Sequence, residues 1–498
     1  MNNDLYELCE SIDTSDANFM DTIKLMLKES GIEGKYIFNE IIFQYIEQVK
    51  YNRSSKDKYD HIFMENTLLK NSLFNNYKSI CTQPTQIQRS PEWFAARKNR
   101  VTASEFASLF GSKAKWNELM KKSDDALNID ILLPAKEAFS PANAGAVATY
   151  VHDITKASTS GHRFNIFGRA VSSPFPDINF AAIKPKMAWL FGKNIGFAMA
   201  YLRQLNRHPK PDLIEIHGRC NVASYIAAKR PDIPVTLFLP NDPRDMKGSK
   251  TIAERKNLVA KLAQIICVSQ YIKDCFLDGV ALDAEDLAKV CVFPIGVTRR
   301  LKTPPQKEAI IFLAGRMVPE KGILECAQAL ADILPSYPEW RLVIAGARRF
   351  EQADPNSYEA KVAKAIEPLG NQAEMTGFIP LDQVRDWQER AAIAACPSLW
   401  QEPLGKVVVE ALAAGCAVLT TRRGGIPEVA EGRALIIDEP SVATFRDGFA
   451  KLLNDDQFRH QLQSIAFTDF PFTSTAMANK VDALRQAAFD TAWHGHRQ

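Results

Sequence analysis

Short apolar runs alternate with longer helical patterns over most of the chain. Most of these runs are followed by Gly, Pro, Ser or Asn and then by a helical pattern. The runs cover residues 127–133, 213–216, 235–239, 265–268, 310–314, 342–345, 393–396 and 417–420. Nearly continuous apolar runs of this length are typical of strands buried on both faces of a parallel sheet. Regular strand–helix alternation predicts an α/β fold built from right-handed βαβ units in doubly wound sheets.

The alternating region is too long for one such sheet, so we predict two. The prolines in residues 303–305 mark a linker between them. The expected domains are therefore 126–300 and 301–475. Residues 1–125 differ in texture, because they are rich in Asn, Lys and Tyr and poor in Ala. We predict that they form a mostly helical N-terminal segment.

Composition places the chain among ordinary globular proteins. The 498 residues are 46% hydrophobic and 24% charged, which excludes wholesale disorder and a fibrous repeat. The formal net charge is only +3, so the total does not call for a nucleic-acid partner. Nine cysteines without a C-x-x-C pair exclude a zinc ribbon and suit a reducing compartment. No apolar run reaches the ~18 residues of a membrane span and the N-terminus lacks a secretory pattern, so we expect a cytoplasmic protein.

One glycine-containing loop carries two cations. The apolar run 310–314 leads into Gly315-Arg316, and Lys321-Gly322 follows before a helical pattern. Ligands of open α/β sheets bind beyond the carboxyl ends of the strands, where helix N-termini point amide groups outward. Arg316 and Lys321 suit a diphosphate there, because Arg grips oxygens in pairs and Lys supplies a point charge. The alternative is a solvated loop with two basic residues.

Two acids follow at a fixed spacing. Glu402 precedes Pro403, which suits the first turn of a helix, and Glu410 lies about two turns further on. Eight residues at about 1.5 Å each predict a separation of roughly 12 Å. A carboxylate pair that acts on one glycosidic bond is about 5 to 9.5 Å apart. We therefore expect the two acids to hold the two ends of an elongated ligand. Residues 424–428 add a second amide-rich turn.

These motifs resemble the retaining nucleotide-sugar glycosyltransferases of family 4, which have the GT-B architecture of two Rossmann-like domains facing across a cleft. The resemblance covers 126–498 and rests on Glu402…Glu410, the 315–322 loop and 424–428. It implies a hexosyltransferase type of enzyme that retains configuration and uses a nucleotide-diphosphate sugar. The implied catalytic residues are His217, Glu402, Arg316 and Lys321. The implied donor-binding residues are Gly145, Gly315, Arg316, Lys321, Gly377, Phe378, Ile379, Glu402, Pro403, Leu404, Gly405 and Glu410.

The resemblance also assigns roles within that set. Arg316 and Lys321 are implied to bind the diphosphate, Glu402 the sugar and Glu410 the ribose. The turn at 377–379 is implied to lie near the base. Departure of a nucleoside diphosphate leaves negative charge on the β-phosphate, which fixed cations and a helix N-terminus stabilise. Closure of the two sheets would exclude water.

With two cations on the diphosphate, no metal ion or cofactor is required. The acidic segment 242–245 could suggest a metal site, but it lies in a charged loop without a cluster of other ligands.

Parts of the first sheet match the same family. Asn143-Ala144-Gly145-Ala146 resembles the glycine loop at the cleft. His217 ends the run 213–216 and resembles the cleft histidine, for which the resemblance implies a role at the sugar. A structural hydrogen bond is the alternative for a single histidine at a strand end. Residues 476–498 resemble the C-terminal helix that crosses back to the first Rossmann-like domain.

Basic and aromatic residues interleave between residues 184 and 210. The helical pattern there includes Trp189, Phe191, Phe197 and Tyr201. This composition is typical of a helix at an anionic interface, so we consider peripheral contact with the inner membrane face and a lipid-linked acceptor. The alternative is an ordinary helix packed on the first sheet.

Residues 88–111 resemble the opening motif of YqaJ-type viral recombinases, relatives of lambda exonuclease. The acidic metal-binding core that should follow is missing, and the chain passes into the first apolar run instead. The seam near residue 125 leaves a natural or an artificial fusion open.

The sequence thus predicts a glycosyltransferase with a glycan or glycolipid acceptor, in lipopolysaccharide or surface-polysaccharide synthesis. A nucleic-acid-binding or nuclease-related protein is the alternative, although we do not expect a nucleic-acid partner.

Overall fold

The computed structural model describes residues 126–185, 192–206, 209–347 and 357–495. Ala126–Gln498 form one compact unit. The predicted helical segment 1–125, with the recombinase-like motif at 88–111, lies outside the described residues.

The first sheet contains seven parallel strands in the order β3-β2-β1-β4-β5-β6-β7. The strands are β1 (Asn128–Leu132), β2 (Arg163–Gly168), β3 (Asn179–Ala182), β4 (Leu213–His217), β5 (Val235–Leu239), β6 (Gln264–Cys267) and β7 (Val290–Val292). The helices between them are α1 (Ala146–Ala157), α2 (Lys193–Leu205), α3 (Cys220–Lys229), α4 (Ile252–Lys261), α5 (Gln270–Leu277) and α6 (Ala284–Ala288). The chain builds outward from β1 on one side and from β4 on the other, so this pair is the switch point of the sheet.

The second sheet contains six parallel strands in the order β10-β9-β8-β11-β12-β13. The strands are β8 (Glu308–Ala314), β9 (Arg341–Ala345), β10 (Ala373–Gly377), β11 (Ala391–Cys396), β12 (Ala417–Thr421) and β13 (Ala434–Ile437). The helices are α7 (Ile323–Ile333), α8 (Tyr358–Ile366), α9 (Leu381–Arg390), α10 (Lys406–Ala413), α11 (Ile426–Ala430), α12 (Val442–Asn454), α13 (Asp456–Thr468) and α14 (Ser474–Gly495). Here β8 and β11 form the switch point.

This architecture confirms the predicted fold class of two Rossmann-like sheets. Every apolar run of the sequence forms a strand. The strands that the apolar pattern missed are β2, β3, β7, β10 and β13, and four of these five are sheet edges. An edge strand pairs with a neighbour on one side only and is less enclosed, so its sequence contains fewer apolar residues. In β10, for example, Glu374 is exposed.

The core of the first sheet extends onto elements that follow the second sheet in the chain. Val408 of α10 and Met477 and Val481 of α14 belong to the same buried cluster as Ile129 of β1. A second cluster fills the space around β8, β9, α7 and α12. Helix α14 therefore returns from the second sheet to pack against α1 and β4 of the first.

A buried ion pair fixes α14 to the first sheet. Arg485 donates to both carboxylate oxygens of Glu215 over 2.8 and 3.1 Å, and to Asp482 over 2.9 Å. The side chains of Arg485 and Glu215 are 1% and 0% exposed. Ser158 at the end of α1 donates to the other oxygen of Asp482 over 2.6 Å. A charge that is buried this completely is tolerated only because each oxygen has a partner.

The network also sets the protonation of Glu215. Burial alone favours the neutral acid, but Arg485 and His217 outweigh burial and lower the pKa of Glu215 to about 2. Since the pKa of the folded state lies below the unfolded value of about 4.3, the ionised carboxylate stabilises the fold above that pH.

We expect the Arg485→Met variant to lose about 3 to 5 kcal/mol of unfolding free energy, because Glu215 would remain buried without its cation. Urea denaturation at pH 7 measures this loss. The matched control is Arg390→Met, which breaks the exposed pair of Arg390 with Glu308 and should cost at most about 1 kcal/mol. Equal losses in the two variants would contradict the proposed energetic role of the buried pair.

The unfolding free energy of the wild type should also fall as the pH decreases from about 4.3 toward 2, as Glu215 takes up a proton in the unfolded state first. Urea titrations across this range measure the slope. Glu215→Gln removes the titrating group, so its slope should be shallower. An unchanged slope would show that other carboxyl groups dominate acid unfolding.

Candidate active site

Two loops lie side by side at the carboxyl edge of the second sheet. Loop 315–322 follows β8 and loop 397–405 follows β11, the two strands of the switch point. Gly322 has a φ of +64°, and a Cβ at this residue would collide with the carbonyl oxygen of Pro397. Glycine is required here for both its conformation and its small size. The close contact brings the predicted cation Lys321 of one loop to the predicted acid Glu402 of the other.

Lys321 and Glu402 form an ion pair across these loops. The ammonium group of Lys321 donates to Oε1 of Glu402, and the Ser398 hydroxyl donates to the same oxygen over 2.7 Å. The side chains of Lys321 and Glu402 are 22% and 10% exposed. The structure thus brings two predicted site residues into contact. Ser398 was not predicted, although its position four residues before Glu402 in the motif was a usable signal.

Arg316 lies in the same loop and is exposed. Its guanidinium has no hydrogen-bond or ion-pair partner in the part of the chain that the structure describes. Lys321 is neutralised by Glu402, whereas the charge of Arg316 is not neutralised. An uncompensated cation at the switch point of a parallel sheet attracts an anionic group.

Helix α10 begins later than the sequence suggested. Its first residue is Lys406 and its N-cap is Gly405, which has a φ of +85°. Pro403 therefore precedes the helix, and its predicted place in the first turn is wrong. The distance of roughly 12 Å expected between the two acids assumed a continuous helix and does not apply. The N–H groups of Leu404 and Gly405 have no protein partner among the described residues, so they can donate to ligand oxygens.

Glu410 lies in the second turn of α10. It pairs with Lys406 over 3.1 Å, and its side chain is 10% exposed. The pair offsets the unfavourable position of Lys406 at a helix N-terminus. Burial raises the pKa of the Cys396 thiol at the end of β11, and the charges of Glu410, Lys321 and Glu402 also act on that thiol.

Three glycines lie at the carboxyl ends of β8, β9 and β10. Gly346 has a φ of +134° and donates its N–H to the carbonyl of Gly377 over 2.8 Å. A Cβ at Gly346 would collide with the carbonyl of Gly315. The turn predicted to lie near a base is therefore connected to the cationic loop. In this turn Phe378 is 52% exposed, and Ile379 is half-buried against the second sheet.

The first sheet contacts loop 397–405 through the start of α5. The Ser269 hydroxyl donates to the carbonyl of Pro403 over 2.5 Å and accepts the N–H of Ile272 over 3.1 Å. Gly425 packs against Pro403 and Ser269. A Cβ at Gly425 would collide with the carbonyl of Pro403 and lie 2.9 Å from the Ser269 side chain. Both hydrogen-bonding functions of this buried hydroxyl are satisfied.

Glu428 of α11 completes this contact. Its two carboxylate oxygens accept the N–H groups of Gln270 and Tyr271 over 2.7 and 2.9 Å. A carboxylate at a helix N-terminus satisfies unpaired amides and interacts favourably with the helix dipole. We call Ser269, Gly425 and Glu428 the interdomain clasp. Glu428 belongs to a predicted turn motif, but no local pattern indicates that its partner lies on the other sheet.

His217 lies in the interior of the first sheet. Its side chain is 2% exposed, its Nε2 is 2.7 Å from Oε1 of Glu215, and its ring stacks on Phe238 with centroids 4.6 Å apart. A ring enclosed in this way does not reach a ligand in an open crevice. These contacts are those of the structural alternative, and the expected role of His217 at a sugar stays a prediction.

Gly145 is the N-cap of α1, at the carboxyl edge of the first sheet. The carboxylate of Glu137 lies against it, so that a Cβ on Gly145 would be 2.5 Å from Oε2 of Glu137. An acidic side chain therefore lies at the place where Gly145 is predicted to contact a diphosphate. The predicted contact stays a prediction.

The amphipathic pattern at 184–210 corresponds in part to helix α2. Phe197 and Tyr201 are 2% and 0% exposed and belong to the core of the first sheet. Tyr201 donates its hydroxyl to Asp130 over 2.8 Å. Trp189 and Phe191 lie outside the described residues. The two aromatic side chains that are described therefore pack inward, as the alternative of an ordinary helix predicts.

Among the described residues, no group of three or more His, Cys, Asp or Glu side chains could hold a metal ion. None of the helices in the described ranges is both long enough and apolar enough to cross a bilayer.

Two family models match consecutive parts of the chain. The model described as Glycosyltransferase Family 4 matches residues 147–299, and the model described as Glycosyl transferases group 1 matches residues 297–468. The chain is a glycosyltransferase with the GT-B fold. The boundary between the two matches falls between β7 and β8, where the chain passes from the first sheet to the second.

Relatives of this glycosyltransferase include a putative glycosyltransferase, YtcC, of Bacillus subtilis, which is 29% identical over 300 residues, 55% of this chain and 72% of that protein. The lipopolysaccharide 1,2-N-acetylglucosaminetransferase of Salmonella typhimurium is 25% identical over 381 residues, 68% of this chain and 92% of the relative. Among solved structures, HepE of Anabaena in complex with UDP and glucose has a TM-score of 0.57 at 17% identity, covering 72% of this chain and 99% of HepE.

We expect Glu428→Ala to lower the unfolding free energy of the glycosyltransferase by about 1 kcal/mol, because two amides at the start of α5 would lose their acceptor. Urea denaturation measures the change. The control is Glu431→Ala, which removes an exposed acid that pairs with Arg422 within the second sheet's domain and should change stability by less than about 0.5 kcal/mol. If Glu428→Ala is as stable as the control, the interdomain clasp contributes nothing measurable.

Proposed function

We propose that this enzyme transfers a hexose from a nucleotide-diphosphate sugar to a glycan or glycolipid acceptor, with retention of configuration and without a metal ion. One observation supports the proposal above the others. The guanidinium of Arg316, which has no partner among the described residues, lies in the same loop as the Lys321–Glu402 ion pair, at the switch point of the second sheet. Two cations and an oriented carboxylate are the groups that a diphosphate and an attached sugar require.

Each site residue has a role in the proposed reaction. Arg316 and Lys321 bind the diphosphate and stabilise the negative charge that develops on the β-phosphate as the sugar departs. Glu402, oriented by Ser398, accepts hydrogen bonds from sugar hydroxyls. The N–H groups of Leu404 and Gly405, which have no partner in the described part of the chain, donate to the same substrate.

Glu410 is proposed to bind the ribose and the turn at Gly377 the base. Glu410 must then exchange its bond with Lys406 for bonds to ribose hydroxyls. Lys321 similarly turns from Glu402 toward the phosphates, so substrate binding replaces two protein ion pairs by protein–ligand contacts. The interdomain clasp holds the carbonyl of Pro403, the residue after Glu402, while this exchange takes place.

The proposed setting is the synthesis of lipopolysaccharide or another surface polysaccharide, supported by the similarity to the Salmonella enzyme. The proposal includes peripheral contact of the 184–210 region with an anionic membrane surface. Phe197 and Tyr201 are buried in the core and do not take part in this contact. The contact would therefore rest on Trp189 and Phe191, which lie outside the described residues. Flotation with anionic liposomes tests this contact, and flotation independent of anionic lipid would contradict it.

A panel of UDP-, GDP- and ADP-sugars identifies the donor by its protection against thermal unfolding. Product analysis by NMR then reports whether the anomeric configuration is retained, and activity in EDTA tests independence from metal ions. Inversion of configuration, or loss of activity in EDTA, would contradict those parts of the proposal.

The nucleic-acid alternative depends on residues 88–111. They lie outside the described residues, and neither family model covers them. Magnesium-dependent nuclease activity that persists in Glu402→Ala would be needed to support it.

We expect Arg316→Ala and Lys321→Ala each to lower kcat/KM by at least about 30-fold, or ~2 kcal/mol of transition-state stabilisation, because each removes a fixed cation from the leaving phosphate. Steady-state kinetics with the donor found in the panel measure the loss. Arg341→Ala is the control, since Arg341 is an exposed arginine at the start of β9 with only a long contact to Glu374. Unchanged turnover in both site variants would contradict the assignment.

A further inference from the structure

A further contact between the two domains lies between α1 and α9. Nη2 of Arg385 on α9 is 3.6 Å from Oδ2 of Asp153 on α1. The side chains of Arg385 and Asp153 are 20% and 9% exposed, so water and salt screen this pair less than a surface ion pair. Arg385 has one more long contact, 3.5 Å, with the exposed Asp382 of its own helix. We call the pair of Asp153 with Arg385 the helix tie; it shares no residue with the interdomain clasp.

The other carboxylate oxygen of Asp153 contacts a histidine. Nδ1 of His152 is 3.2 Å from Oδ1 of Asp153, and its Nε2 is 3.0 Å from Oδ1 of Asp177, which precedes β3. The ring is 12% exposed and stacks on Phe175 with centroids 3.9 Å apart. Both ring nitrogens therefore face carboxylates from a fixed position. Only the protonated ring can donate to both carboxylates, because neutral imidazole has a single N–H.

The surroundings of His152 favour its charged form. Burial alone would lower the pKa of His152, but the two carboxylates outweigh burial and raise this pKa above its ordinary value of about 6.5. The charged groups that face the ring are Asp153 and Lys156 of α1, Asp177 before β3, and Arg385 of α9 beyond Asp153. Lys156 pairs with Asp177 over 2.6 Å, so Asp177 keeps a cation when His152 loses its proton. Among the described residues, Asp153 then has only Arg385.

The charge of His152 acts on the helix tie. A protonated ring shares the carboxylate of Asp153 with Arg385 and repels the guanidinium, whereas a neutral ring leaves the whole charge of Asp153 to Arg385. We infer that His152 is a proton-controlled switch of the helix tie, and that its protonation makes separation of the two domains easier. Substrates of a two-domain enzyme enter and leave by such a separation, so the switch makes access to the crevice depend on pH. The inference holds for any donor and goes beyond the proposed function.

The first test measures the proton affinity of His152 in the full chain by NMR titration of isotope-labelled histidine, with the signal assigned by its loss in His152→Gln. If the proton weakens the helix tie, the tie must weaken proton binding by the same factor. We expect Arg385→Gln to raise the proton affinity of His152 about threefold, because a neighbouring cation is removed. Arg385→Lys keeps that cation and should leave the affinity close to the wild-type value.

The matched control for this titration is Arg390→Gln, which changes an arginine of the same helix that pairs with Glu308 instead. It should leave the proton affinity of His152 unchanged. An unchanged affinity in Arg385→Gln, or an equal rise in Arg390→Gln, would overturn the inference.

The second test measures hydrogen exchange of the Gln270 and Tyr271 amides, which Glu428 of the other domain protects in the interdomain clasp. Separation of the domains breaks the clasp and the helix tie together, so protection of these amides reports on both. Corrected for intrinsic exchange, wild-type protection should fall about threefold from about pH 9 to about pH 6, as His152 takes up its proton. His152→Gln gains no charge, so its protection should be the same at both pH values.

His460→Gln is the control for the exchange experiment, because His460 is an exposed histidine of α13; its protection should follow the wild type. Arg385→Gln lacks the tie, so its protection should be low at both pH values. Wild-type protection that is independent of pH, or a pH dependence that persists in His152→Gln, contradicts the switch. His152→Asn replaces His152→Gln in both experiments if the latter does not fold. Neither measurement uses a substrate, so a negative result leaves the proposed function untouched.

Discussion

The packing of loop 397–405 against its neighbours is the constraint on which the site depends. Backbone atoms approach so closely that side chains are excluded at Gly322 on one side and at Gly424 and Gly425 on the other. The N–H of Gly425 donates to the carbonyl of Glu402 over 2.8 Å. The main chain of Glu402 is held in this way, and the Ser398 hydroxyl orients its carboxylate. Both features help to preorganise the polar site.

The same loop links the two sheets. The interdomain clasp ties Pro403 to α5 of the first sheet, while α14 returns to that sheet through the buried pair of Arg485 with Glu215. The clasp lies at the carboxyl edge of the sheets, and the pair of Arg485 with Glu215 lies in the core. Separation of the sheets at the ligand edge would release the carbonyl of Pro403, so the position of the first sheet acts directly on the loop that carries the acid.

Charged groups follow the switch-point strands of both sheets. Arg316, Lys321 and Glu402 follow those of the second sheet, and Glu137 lies beside Gly145 after β1 of the first sheet. Both places lie at the carboxyl ends of parallel strands, where open α/β sheets bind ligands.

Local pattern was sufficient for most of the enclosed strands and for the loops that follow them. Apolar runs determined every central strand except β2, because a strand enclosed by neighbours and helices must be apolar along its length. Glycines and charges beside those runs likewise predicted the loops of Arg316, Lys321 and Glu402.

Tertiary structure alone decided which groups meet: Lys321 with Glu402, Glu428 with α5, Glu137 with Gly145. It also enclosed His217, since the partner that holds its ring, Glu215, is itself fixed by Arg485 from a helix 270 residues away in the chain. Contacts between distant segments leave no periodic trace in the sequence, because they depend on how complete sheets pack.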